Sequence, residues 1–210
     1  MDLNKTYDTW RQAVTGPEKF FTKAKAKPDL SIAVKWAALG GVVSVFISQL
    51  ALLAHAQTDI ASALIGTIVS GVIIVPLLLL LSSGILLFFA RLLGGTGNYN
   101  AQTYALAAIQ APLTIVLAIV AFVLDFLSAP TSYAFGTPVR TGATGAIYGL
   151  ASLVIMLYAA YATIIAFRSI HKYSTMRAIA TFLVPAVLLG LAAVLVVMFF
   201  TVAGGSVMAA

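Results

Sequence analysis

Cysteine is absent from the 210 residues, which excludes disulfides, thiol nucleophiles and Cys-ligated metals. Histidine occurs twice, at His55 and His171, in no H-x-x-x-H or H-E-x-x-H arrangement, so no zinc pattern exists. The six acidic residues form no spaced carboxylate pair and no Ser-His-Asp set on which catalysis could be argued. Charged residues of both signs make up only 9% of the chain, against about 25% in a soluble domain. Neither an enzyme nor a cofactor is expected from such a sequence.

What is present is hydrocarbon. The chain is 61% hydrophobic with a mean hydropathy of +1.05. A core of this size cannot hide that much apolar area, and lipid is the solvent that remains. Five stretches reach the roughly 20 apolar residues needed to cross about 30 Å of hydrocarbon: Ile32–Ala54, Ile60–Ala90, Tyr104–Leu127, Gly145–Phe167 and Ile179–Val202. In lipid each must satisfy its own backbone hydrogen bonds, so each is a helix; the ten-residue alternation of a membrane barrel is missing. The second stretch is long for one crossing and carries Pro76, which predicts a tilt, a kink or a start outside the hydrocarbon. The expected fold is all-α: a polytopic membrane bundle of five transmembrane helices behind an N-terminal amphipathic interfacial helix. It divides into a basic lead, 1–31, a membrane domain, 32–202, and a short tail, 203–210.

Lysine and arginine orient the bundle. Eleven of the twelve precede or open span one, or fall between spans two and three or between spans four and five; Arg140 alone lies on the other side. That asymmetry predicts a multi-pass protein of the cell membrane with a cytoplasmic N-terminus and an extracytoplasmic C-terminus. No apolar run begins before Ile32, so no secretory leader is expected.

The basic lead has a pattern of its own. Leu3, Tyr7, Trp10 and Val14 recur at helical spacing. After Gly16-Pro17, a favourable helix start, Phe20 and Phe21 oppose Lys19, Lys23 and Lys27. Trp10, Phe20 and Phe21 with these lysines suit a helix lying in the interface of an anionic leaflet, where each lysine contributes on the order of 1 kcal/mol. The same residues also read as a flank that merely orients span one. Nucleic acid is not an expected partner, because the cations crowd the membrane edge.

The segment "ARLLGGTGNYNAQTYALAAIQAPL" invites a nucleotide reading, yet Gly94, Gly95 and Gly97 lack both the lysine of a phosphate loop and a preceding strand. They read instead as the end of the second helix and a turn. Asn98, Asn100, Gln102, Thr103 and Tyr104 then form a solvated start to span three. Gln110 and Pro112 lie deeper; Pro112 opens the backbone at residue 108, so this helix should face protein rather than acyl chains. Pro76 and Pro185 similarly mark spans two and five. Asp125 is the single ionisable residue well inside a span, a functional candidate by default, and its nearness to the helix end predicts access to water. Small residues at four-residue steps (Gly40, Ser44 and Ser48; Gly66 and Ser70; Gly145 and Gly149) permit close helix approach, within one chain or in a homo-oligomer.

Three segments together resemble the Yip-one domain (Ypt/Rab-interacting protein) family in a prokaryotic form. "GPEKFFTKAKAKPDLSIAV" is similar to its proline–aromatic lead. "LLGGTGNYNAQTYALAAIQAPL" resembles its Gly-Gly-x-Gly turn, polar-aromatic start and mid-helix proline. "YATIIAFRSIHKYSTMRAIATFLVPAVLL" resembles its link between spans four and five. The resemblance implies five spans with a cytoplasmic N-terminus, an association with Rab-type GTPases in eukaryotes, and no catalytic residues. The long soluble region of eukaryotic members has no counterpart in residues 1–31, so the scaffold carries over rather than GTPase binding.

Two functions are then expected in competition. A non-catalytic membrane scaffold would recruit a cytoplasmic or membrane partner through Gly94, Gly95, Gly97, Asn98, Tyr99, Arg168, His171 and Lys172, and could shape the leaflet. A small permease, or a transporter's membrane subunit, would place a pathway near Gln49, Gln110, Pro112 and Asp125. An accessory subunit of an energy-transducing complex is a third reading.

Overall fold

The computed structural model describes residues 2–23, 28–127, 132–134 and 137–207. Lys27 of the basic lead lies outside them, as does the side chain of Lys23. The elements in order are α1 (Leu3–Thr15), α2 (Pro17–Lys23), α3 (Leu30–Ala54), α4 (Ile60–Thr67), a π-helical segment (Ile68–Ile74), α5 (Val75–Leu92), α6 (Tyr99–Leu127), β1 (Ser132–Ala134), β2 (Thr137–Val139), α7 (Gly142–His171) and α8 (Thr175–Val207). The two strands pair antiparallel, Ser132 opposite Val139, as a ribbon in the loop after α6. Five helical stretches are long and apolar enough to cross a membrane: Leu30–Ala54, Ile60–Leu92, Tyr99–Leu127, Gly142–His171 and Thr175–Ala192.

These helices run several residues past the apolar stretches because caps, not hydropathy, set helix ends. Asp29 accepts the Ser31 amide at 2.8 Å and starts α3. Asn98 accepts the Ala101 amide at 2.8 Å and starts α6. Lys172, in the left-handed conformation at φ 53°, closes α7. Asp2 and Asp59 start α1 and α4 in the same way, so three of the scarce carboxylates serve as caps.

Around Pro76 the disturbance takes a definite form. The helix widens into the π segment, and the Val75 amide reaches back five residues to the Ser70 carbonyl. That places Pro76 in the first turn of α5, where its missing N–H costs least. The widened turn also rests on α3: a Cβ built on Gly71 would lie 2.6 Å from the Val42 backbone, and one on Gly41 2.7 Å from the Gly71 carbonyl. No side chain larger than hydrogen fits there.

Helix α6 is the centre of the bundle. Ala105 through Ile109 are all buried, and Gly40 of α3 meets Ala111 so closely that a Cβ would approach its Cβ to 2.7 Å. Pro112 therefore sits where neighbouring helices cover the opened backbone, as the lipid argument requires. At the same end α1 lies against the bundle. Trp10 meets Trp36 edge-on at 6.4 Å, Trp36 packs on Tyr104 at 4.8 Å, and the Trp36 indole donates to the Thr6 hydroxyl at 3.3 Å. The Tyr158 hydroxyl donates to the Val14 carbonyl, and Ser169 donates to the Phe21 carbonyl at 2.7 Å. The apolar stripe of the lead is thereby divided: Trp10, Val14, Phe20 and Phe21 are partly covered by protein, while Leu3 and Tyr7 stay exposed. The buried face is turned toward the small residues Thr6 and Ala13, which let the α1 backbone approach the bundle.

Candidate functional site

The polar features at the lysine- and arginine-rich end converge on one side chain. His171 ends α7 fully buried, stacked on Tyr173 at 5.3 Å and met edge-on by Phe167 at 5.8 Å. The Gly97 amide donates to its Nδ1 at 3.2 Å. An amide can only donate, so Nδ1 carries a lone pair, and Nε2–H donates to the Gln102 Oε1 at 2.8 Å. Gln102 then donates its Nε2 to the Ser83 carbonyl of α5 at 2.7 Å. The Thr96 amide and hydroxyl both donate to the His171 carbonyl at 3.3 Å. One imidazole thus joins α5, the glycine turn, α6 and α7.

Outer bonds complete the clasp. Thr103 donates to the Tyr99 carbonyl at 2.8 Å, so its 2.6 Å contact with Ser83 Oγ has the serine as donor. The Tyr99 hydroxyl donates to the Leu80 carbonyl at 2.8 Å, and Arg91 donates to the Gly97 carbonyl at 2.9 Å. Thr181 donates to the Arg177 carbonyl at 2.8 Å, so the Tyr173 hydroxyl donates to Thr181, which ties in α8. Burial pushes the Tyr173 phenol above its ordinary value, while the Thr181 bond opposes the shift.

The glycines are explained by this clasp. Gly94 has a left-handed φ of 83°, and a Cβ on Gly95 or Gly97 would come within 2.7 or 2.8 Å of His171 Nδ1. Gly94 and Asn98 face outward, as do Arg168 and Lys172; Gly95, Gly97 and His171 face inward. Arg168 reaches Glu18 of α2 at 3.5 Å, an exposed pair. The reading of Gln102 and Thr103 as a solvated helix start is corrected here: both are fully buried, because the His171 clasp supplies the partners water would have provided. Ser83 and Thr181, which complete it, carry no sequence signal beyond being polar within apolar runs.

At the opposite end a second polar group stands alone. Asp125 is 2% exposed and holds Arg140 in a fork, Oδ1 to Nε at 2.7 Å and Oδ2 to Nη2 at 2.6 Å. The guanidinium also lies over the Tyr148 ring at 4.2 Å. His55 Nε2 is 3.0 Å from the Asp125 carbonyl. The expectation that Asp125 reaches water is therefore corrected: its partner is the single cation of the far side, folded back onto it. Gln110 is exposed beside a cavity of about 280 Å³ walled mainly by Ala37, Val75, Leu79 and Ala111, and Pro185 is buried in α8. The pathway residues are thus divided: Gln49 and Asp125 line one cleft, where Asp125 is neutralised by Arg140, while Gln110 lines a separate apolar hollow.

Among the described residues no three His, Asp or Glu side chains gather to hold a metal ion. No curated protein and no solved structure matches the chain. A family model described as the Yip1 domain matches residues 11–198, from within α1 to far along α8. That match takes in the lead from Arg11 onward, the glycine turn with its histidine clasp and all five membrane-length helices, and the chain belongs to the Yip1 domain family.

Proposed function

We propose that this multi-pass membrane protein is a non-catalytic scaffold that recruits a protein partner at its basic end. The observation that carries the reading is the His171 clasp. It fixes the glycine turn and the link between α7 and α8, so that the outward residues Gly94, Asn98, Arg168 and Lys172 form one pre-organised surface. A surface held rigid before binding loses less conformational entropy when a partner docks. Charge bias supports a cytoplasmic setting for this end in the cell membrane, with exposed Lys19 available to anionic lipid. The neutralised Asp125 favours a scaffold over a permease, since a proton or ion route through the spans would want that carboxylate free.

The test is capture from native membranes with Asn98→Ala/Lys172→Glu beside the wild-type chain. A partner that co-purifies with the wild type and is depleted at least about tenfold by the double variant, roughly 1.4 kcal/mol, supports the reading. Undiminished capture, or solute flux through liposomes holding the purified chain alone, sinks it.

A further inference from the structure

The half of the bundle away from the clasp contains a cleft of about 340 Å³ between α3, α6 and the start of α7. It is open on one side, and its size falls at the small end of the range of small-molecule sites, about 300–1,000 Å³. Its wall is unusually polar for helices of membrane length. Ser44 donates its hydroxyl to the Gly41 carbonyl at 3.1 Å, Ser48 to the Ser44 carbonyl at 3.0 Å, and Thr114 to the Ala111 carbonyl at 2.9 Å. With their protons used on the backbone, these three hydroxyls offer the cleft acceptor oxygens.

Donors come from two other side chains. Arg140 uses Nε and Nη2 on Asp125, which leaves Nη1 without a protein acceptor among the described residues. Gln49 lies beside Gly66, whose Cβ would come 3.0 Å from its Nε2, and its amide has no hydrogen-bond partner among them either. An unpaired primary amide beside lipid is costly, so a polar occupant is called for. The charge of the site is zero, since the Asp125 carboxylate and the Arg140 guanidinium cancel. A net anion or cation would enter without compensation, whereas a zwitterion would not.

We propose that this cleft binds a membrane lipid through an overall neutral headgroup that carries N–H donors, of the phosphoethanolamine kind. The phosphate takes the donor corner at Arg140 Nη1 and Gln49, and the ammonium takes the hydroxyl oxygens of Ser44, Ser48 and Thr114. A lipid is favoured over a soluble ligand because the cleft lies between helices of membrane length and its polar groups are flanked in the same wall by Val45, Leu52, Leu117 and Phe122, apolar surface for acyl chains. A choline head has no N–H to give the acceptor wall, and a glycerol head leaves its phosphate charge unbalanced.

The test uses the full-length chain, delipidated in detergent and offered ethanolamine, choline and glycerol phospholipids with identical acyl chains, read by native mass spectrometry. One ethanolamine lipid should be retained at a concentration about tenfold below that of the other two. Gln49→Leu and the near-isosteric Thr114→Val should each remove that preference, while circular dichroism and the lipid-free melting temperature stay as in the wild type. Free glycerophosphoethanolamine, which keeps the neutral phosphodiester head without acyl chains, should compete only weakly. Equal retention of all three lipids, a preference for choline or glycerol heads, or a preference that survives in folded Thr114→Val would each overturn the proposal. Competition by free glycerophosphoethanolamine as strong as by the lipid would overturn its lipid source.

Discussion

Both ring nitrogens of His171 are engaged inside the protein, and that makes the residue worth more than its size suggests. His171→Leu would leave the Gly97 amide and the Gln102 carbonyl oxygen buried without partners. Each orphan costs about 1–3 kcal/mol, so the variant should lose roughly 2–6 kcal/mol in detergent unfolding. A loss below about 0.5 kcal/mol would show that the clasp is ornamental. Asp125 makes a matching case at the other end. Asp125→Leu strands Arg140 and should cost about 3–5 kcal/mol, whereas Asp125→Leu/Arg140→Leu should recover most of it. A double variant as weak as the single one would refute the pairing. Asp59 offers a pH test of milder kind: the Ser62 amide and hydroxyl hold its carboxyl below the ordinary carboxylate range. A lowered folded value means the cap stabilises above the unfolded value and fades as pH falls through the lowered one. The melting difference between wild type and Asp59→Ala should therefore persist at neutral pH and vanish only in strong acid. At this scale the sequence makes these residues conspicuous without disclosing their surroundings. His171 and Asp125 stand out as polar exceptions, but nothing in their spacing reveals Gln102 or Arg140 as partners, which the packing of remote segments brings near.

Elements repeat the lesson with glycine. Gly40 on Ala111 and Gly71 on Val42 are two close approaches between helices, and at both an added methyl meets backbone that cannot swing away. Gly40→Ala and Gly71→Ala should each destabilise by about 1–3 kcal/mol, as overpacking does. Gly84 in α5 faces open space, with nothing within 4 Å of a built Cβ. Gly84→Ala should be neutral or stabilise by up to about 1 kcal/mol through helix propensity. Equal effects at the three positions, compared by thermal unfolding in one detergent, would mean that the close approaches carry no load. The small-residue line through Gly40, Ser44 and Ser48 is legible as a face, but it has two uses: Gly40 packs on α6, and the serines line the cleft. Likewise Pro76 announces a disturbed second span. Its form, a π segment seated on α3, depends on Gly41, far from that proline in the chain.

For the whole molecule, the five membrane-length helices were the most legible feature, because the cost of an unpaired backbone group in lipid leaves few alternatives. The docking of α1 was not, since its contact face centres on Thr6 and Ala13, small residues that attract no notice, with Trp10 packed beside them on Trp36. Cation placement belongs to this scale too. Lys5, Arg11, Lys19, Arg91, Arg168, Lys172 and Arg177 lie with the clasp end, while Arg140 is bound to Asp125 and leaves the far end with no net positive charge from that pair. The retention of such a cluster by the cytoplasmic side sets the expected orientation. Because the chain has no cysteine, single substitutions give a clean readout. Asn100→Cys, exposed at the glycine-turn end, should react with an impermeant maleimide only after cells are opened. Ala210→Cys should react on intact cells. The reverse pattern would place the proposed recruiting surface outside the cytoplasm and remove every partner that resides there, whereas the clasp, the Asp125–Arg140 fork and the lipid cleft would stand, since they depend on packing and not on which compartment each end faces.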